Sequence, residues 1–166
     1  MTTKIGSAVT GKLLERINGP AGVNAGLGAL SQAEREFAGL VDTAQVRAQN
    51  VAGDLAERAT GVKYPAVNVY CEKIVNDLHE KFRRFSGSAR MAIELRQSQD
   101  RLEGIQDRLE LYVDAMMQML NGSRGDWGDG IFYGGQYEVA YGPVKQGGKN
   151  FTQVAKVTFE IGVSKD

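Results

Sequence analysis

Cysteine is almost missing from this sequence. Cys71 stands alone, so no intramolecular disulfide can form, and folding in a reducing cytosol is expected. Histidine is equally scarce: His79 is the single imidazole, which leaves metal binding and general-base chemistry short of their commonest side chain. Nor is there an excess of charge, since twenty basic and twenty acidic residues cancel. That balance argues against the uniformly positive surface that drives non-specific nucleic-acid binding. No apolar run approaches the roughly 20 residues needed to cross a bilayer. The opening segment, MTTKIGSAVTGKLLERI, also lacks the uninterrupted apolar stretch of a signal peptide. A soluble, non-membrane protein made in the cytoplasm is the expectation.

What is present divides the chain in two. With 166 residues, 42% of them hydrophobic, one folded domain over 1–166 is expected. Residues 1–60 are rich in Gly and Ala, whereas 64–166 carry β-branched and aromatic residues in alternating runs. In the first portion Ser7 is placed to cap a short helix bearing Val9, Leu13, Leu14 and Ile17, stopped by Asn18, Gly19 and Pro20. The Gly-rich stretch 20–30 (PAGVNAGLGAL) predicts an irregular connection. Ser31 with Glu34 three residues on is the pattern of a capping box, opening a second helix that ends near Gly39. Between 41 and 60 the signals conflict: Val41, Thr43 and Val46 favour extended backbone, and Ala52 to Ala59 a helical turn or two.

The second portion is more regular. After Pro65, Val67, Val69 and Cys71 share one face of a strand, and Ala66, Asn68 and Tyr70 the other. Along 88–96 Met91, Ile93 and Leu95 alternate with Arg90, Ala92, Glu94 and Arg96, which predicts a strand with the aliphatic set inward. Asp100 and Glu103 form an N-terminal capping pattern. Leu102, Ile105, Leu109, Val113, Met116 and Leu120 recur at spacings of three and four, so a long amphipathic helix is expected at about 100–120. Asn121 and Gly122 stop it, and a Gly-rich loop runs through Gly135. Tyr137, Val139 and Tyr141, then Ala155, Val157, Phe159, Ile161 and Val163, predict a closing hairpin around KQGGK. The expected fold is α+β: an antiparallel or mixed four-stranded sheet packed against the long helix and an N-terminal helix.

Four segments carry a family resemblance: YPAVNVY (64–70), FSGSARMAIELR (85–96), DRLEGIQDRLELYVDAMMQML (100–120), and YEVAYGPV followed by FTQVAKVTFEI. Over about residues 64–166 the sequence resembles the tail terminator proteins of long-tailed bacteriophages. It departs from them in its long Gly-rich N-terminal portion and its DWGDG loop. The resemblance implies a virion protein of the tail or neck that forms a homo-hexameric ring. Such a ring caps the tail tube protein, ends tail polymerisation and joins the tail to a head connector or neck protein, with DNA passing through its hole. Independently of the resemblance, the residues carry no catalytic constellation, so neither catalysis nor a cofactor is expected. The alternatives are another head-to-tail connector or a small oligomeric adaptor.

Local signals are weighed beside that. GSAVTGKL (6–13) approaches the phosphate-loop pattern through Gly6, Gly11 and Lys12, but Leu13 replaces the Ser or Thr that holds magnesium, and no strand has room to precede it. An ordinary helix start is the better reading. Glu103, Asp107, Glu110 and Asp114, spaced by four, three and four, form an acidic stripe on the long helix: a solvated face, a subunit or lumen surface, or a metal site lacking varied ligands. Lys81, Arg83 and Arg84 form an opposite-sign cluster between the first two strands, suited to a neighbouring subunit's stripe. Trp127 either anchors a partner or seals the domain edge. Arg124-Gly125-Asp126 matches an adhesion triplet by chance frequency, and Asp126 with Asp129 lacks the other ligands of a calcium loop. Cys71 on the apolar side of a strand reads as a small hydrophobe rather than a nucleophile.

Overall fold

Alternation of side chains organises the second portion into three long strands. The computed structural model describes residues 3–39, 45–51 and 62–166. The expectations for Val41, Thr43 and Ala52 to Ala59 lie outside them. Strands β1 (Val46–Arg47), β2 (Ala66–Asn76) and β3 (Phe85–Gln99) precede the long helix, numbered α4 (Ile105–Asn121). After it come β4 (Gly125–Gly128), β5 (Ile131–Tyr133), β6 (Glu138–Tyr141), β7 (Lys145–Gly147) and β8 (Asn150–Lys165). The sheet runs β1-β2-β3-β8-β5-β4, with β6 and β7 also paired to β8. Among the described strands only β1 lies parallel to its neighbour; β3 and β8 are antiparallel from Phe85↔Lys165 to Gln99↔Phe151.

The fold is therefore α+β with a mixed sheet, but among the described residues the sheet has eight strands rather than four. Of the additional strands, β4, β5 and β7 arise where glycine masked the pattern, whereas β1 holds Val46, whose side chain favours extended backbone. Residues 121–135 were expected as a loop, yet Trp127, Ile131 and Tyr133 are buried on one side of a small hairpin. Its turn is Asp129-Gly130, both with positive φ (54° and 75°), the pair that a tight hairpin favours.

The expected aliphatic set forms the core. Val67, Val69, Met91, Ile93, Leu95, Val157 and Ile161 are fully buried beneath the helices. From α4, Leu109, Val113, Met116 and Leu120 pack on them, each contributing roughly 1.5–3 kcal/mol before entropy is counted. The helix starts later than expected. Gly104 takes a left-handed conformation (φ 78°) as the residue before it, and no side chain caps it. Asp100 and Glu103 thus make no capping box, and Leu102 is 57% exposed. The Gln99 amide instead donates to the carbonyls of Arg101 and Glu103, at 2.8 and 2.7 Å, holding the turn that precedes the helix.

Among the described residues, three helices cover the first portion. Helix α1 (Gly6–Asn18) buries Val9, Leu13 and Ile17, but begins from Ile5 rather than from a Ser7 cap. Helix α2 (Val23–Gly28) occupies the stretch expected to be irregular. Its glycine content serves packing: a Cβ at Gly26 would lie 2.7 Å from the carbonyl oxygen of Ala115 in α4. Helix α3 (Gln32–Ala38) has the expected capping box. Glu34 N–H donates to Ser31 Oγ at 3.3 Å, Ser31 N–H donates to Glu34 Oε1 at 3.1 Å, and Gly39 ends the helix at φ 77°.

Candidate interaction surfaces

The connection between β2 and β3 is a braced arm. Asn76 clamps its base: its amide donates to the carbonyl of Arg84 at 3.0 Å, and its carbonyl oxygen accepts from the Ser86 N–H at 3.0 Å. Glu80 N–H donates to Ser86 Oγ at 3.1 Å, and the Glu80 carboxylate accepts from Ser164 Oγ at 2.8 Å. Arg83 pairs with Glu80 at 3.4 Å and with Asp166, tying the arm to the end of β8. The charge of Arg83 is thereby occupied within the chain. Lys81 and Arg84 carry no side-chain partner among the described residues, so the expected cationic trio has two free members.

Two apolar residues of the arm face water. Phe82 is 100% exposed and Leu78 58% exposed. Both have left-handed backbones (φ 66° and 52°), a conformation that bulky residues rarely adopt. Ile74 and Val75 near the end of β2 are also partly exposed, on opposite faces of the sheet. The charge pattern pointed to this connection through Lys81, Arg83 and Arg84. Charge alone does not single out Leu78 and Phe82, although two large apolar residues in a polar hairpin connection are themselves a signal.

At the far end of the sheet the acidic stripe is divided. Asp107, Glu110 and Asp114 line an open cleft of about 430 Å³ between α3 and α4, where Glu34 from α3 joins them and Phe37 and Leu111 supply an apolar wall. Glu103 lies outside the helix and outside the cleft. Burial, then the charges of Glu110 and Glu34, raise the Asp114 carboxyl above the usual aspartate range. Tyr141 of β6 is raised by burial and by the same Glu110 and Asp114 charges. Arg108 stacks over the ring of Phe37 at 4.7 Å and fixes that wall. Among the described residues no three His, Cys, Asp or Glu side chains group as metal ligands.

Trp127 is only 6% exposed. Its indole N–H donates to the Ser123 carbonyl at 2.7 Å, and Arg16 covers its ring at 4.7 Å. Of its two readings, the structure realises the edge seal, because β4 turns the ring toward Tyr133, 5.7 Å away. Trp127 therefore leaves the set of candidate interface residues. Lys12 sits mid-helix and pairs with Asp129 at 3.3 Å, so the phosphate-loop-like segment is helix rather than cradle. Asp126 Oδ1 accepts from the Gly128 N–H at 2.8 Å within its own hairpin. His79 pairs with Asp77 at 2.8 Å in solvent, and burial raises the half-buried Cys71 thiol.

The sheet face away from the helices is not the plain solvent face that alternation predicted. Tyr70 O–H donates to Glu94 at 2.6 Å, and Glu72 accepts from Lys156 and, at 3.2 Å, from Arg90. Ala92 is fully buried, and Arg96 is 4% exposed with no hydrogen-bond partner for its Nε among the described residues. Residues 45–51 and 142–145 line clefts over this face, which a strand pattern cannot reveal. No described helix is long and apolar enough to cross a membrane. The sequence matches no known protein-family model and no curated protein.

Proposed function

We propose that this chain is a non-catalytic structural protein of a phage virion, a tail terminator. It forms a ring, a homo-hexamer by resemblance, that caps the tail tube, ends tail polymerisation and meets a head connector or neck protein. The observation that carries this is the β2–β3 arm: a hydrogen-bonded loop that holds a fully exposed phenylalanine in a strained backbone, near Lys81 and Arg84, which have no side-chain partner among the described residues. A chain acting alone gains nothing from such a feature. Strained, exposed apolar residues held by over-determined surroundings are the hallmark of a surface made for a partner.

The strand and helix sequences that resemble tail terminators supply the identity of that partner, and the neutral net charge suits a ring through which DNA slides. Strong counterion-release binding would hold the genome in place. The test is native mass of the purified chain, alone and with tail-tube subunits. A ring that binds tube ends and stops their growth is the expected result. A chain that stays monomeric and never joins tubes defeats the proposal, and a ring that ignores tubes points to an adaptor instead.

A further inference from the structure

We infer that the β2–β3 arm of one copy docks into the α3–α4 cleft of the next, with Phe82 seated against Phe37 and Leu111 and with Lys81 and Arg84 against the cleft carboxylates. The inference rests on the ring proposed above and names the surfaces that build it.

Charge complementarity selects the occupant. The cleft gathers Glu34, Asp107, Glu110 and Asp114, and none of them forms an ion pair among the described residues. The arm presents Lys81 and Arg84, also unpaired. Apolar groups match as well: the cleft wall is Phe37 and Leu111, and the arm tip is a phenyl ring with all its surface in water. A phenylalanine buries about 150–250 Å² when seated in a pocket. An acidic rim with an apolar wall suits a peptide segment carrying one aromatic between cations, and the chain itself supplies one.

Geometry excludes the intramolecular contact. The arm is fixed beside the last residues of β8 through Arg83 and Asp166. The cleft lies at the other end of that strand, where Gln153 of β8 bonds Gln106 of α4 one residue from Asp107. From Gln153 to Lys165 the strand covers about 40 Å at roughly 3.3 Å per residue. An arm held rigidly at one end cannot fold back to the other. The two surfaces differ, so the contact is heterologous, and each copy offers an arm to one neighbour and a cleft to the other. Heterologous contacts close into rings when the rotation between copies permits. The internal bonds of the arm favour docking, because a preformed loop loses little entropy on binding.

The experiment is a charge exchange read by native mass and sedimentation. One variant carries Lys81→Glu and Arg84→Glu; a second carries Asp107→Lys, Glu110→Lys and Asp114→Lys, which turns the cleft net positive even with Glu34 retained. All five side chains are on exposed positions, and far-UV circular dichroism checks that each variant folds. Each variant alone should be monomeric at concentrations where the wild type assembles, and an equimolar mixture should reassemble, since every arm then meets a cleft of opposite sign. Phe82→Ser should weaken assembly at least tenfold with no loss of folding. If the wild type forms rings and both variants do too, or if the mixture stays monomeric, the docking is wrong while the ring stands. A wild type monomeric both alone and with tail-tube subunits overturns the ring and the docking together.

Discussion

Phe82 and Leu78 each place a bulky side chain on a left-handed backbone, at a cost of about 1–2 kcal/mol apiece. Glycine adopts the same conformation without that cost. Phe82→Gly should therefore raise the stability of the monomer by about 1 kcal/mol, or about 2–4 °C in Tm by calorimetry, while weakening assembly. A fall in Tm would show that the backbone is not strained. Glu72 is a second residue with a readable consequence. Its hydrogen bond with Lys156, and then that with Arg90, hold its carboxyl below the usual glutamate range. A depressed acid contributes stability above its unfolded titration, and loses it as pH falls through the folded one. Glu72→Gln should cost about 0.5–1 kcal/mol at pH 7. The gap from wild type should close in acid; equal denaturation midpoints at pH 7 would rule the network out as a stabiliser.

At the scale of elements, period-two alternation located β2, β3 and β8, and the three-four spacing located α4, because each buries one stripe against the others. Ser31 and Glu34 marked the start of α3 because a capping box is local chemistry. The sequence pattern failed where a distant neighbour decided the outcome. Gly22, Gly26 and Gly28 read as a breaker run, yet α2 is a helix because Gly26 lets it lie on the backbone of Ala115. Gly26→Val should therefore push α2 from α4 and destabilise the chain by about 1–3 kcal/mol, since the atoms it meets are backbone and cannot turn aside. A midpoint unchanged in a urea titration would mean that this contact is loose. Arg96 failed for a similar reason: its alternation was read correctly, but segments remote in sequence cover its face. The surfaces proposed to meet are legible in their charges, Lys81 and Arg84 on the arm and Asp107, Glu110 and Asp114 on α4. The contribution of Glu34 and Phe37 is not, since only the fold sets α3 against α4.

For the whole molecule, opposite ends of opposite charge would make the proposed assembly sensitive to salt and pH in directions that can be worked out. Ions screen exposed charges over about 8 Å at 0.15 M and about 3 Å at 1 M, so the docking contact should weaken roughly tenfold across that range. The phenyl ring resists this loss, because apolar burial does not weaken with added salt. Several groups face the cleft: Asp107, Glu110 and Asp114 from α4, Glu34 from α3 and Tyr141 from β6. Asp114 holds its proton to higher pH than an ordinary aspartate, because it is partly buried beside Glu110 and Glu34. Cations seated in the cleft favour its charged form, so docking expels the proton. Assembly then strengthens as pH rises through the Asp114 titration and weakens as pH falls through it. Sedimentation at stepped pH should show rings giving way to monomers in that acidic window, and Asp114→Asn should flatten the response. Rings whose stability is indifferent to both salt and acid would mean that the copies meet through some other face.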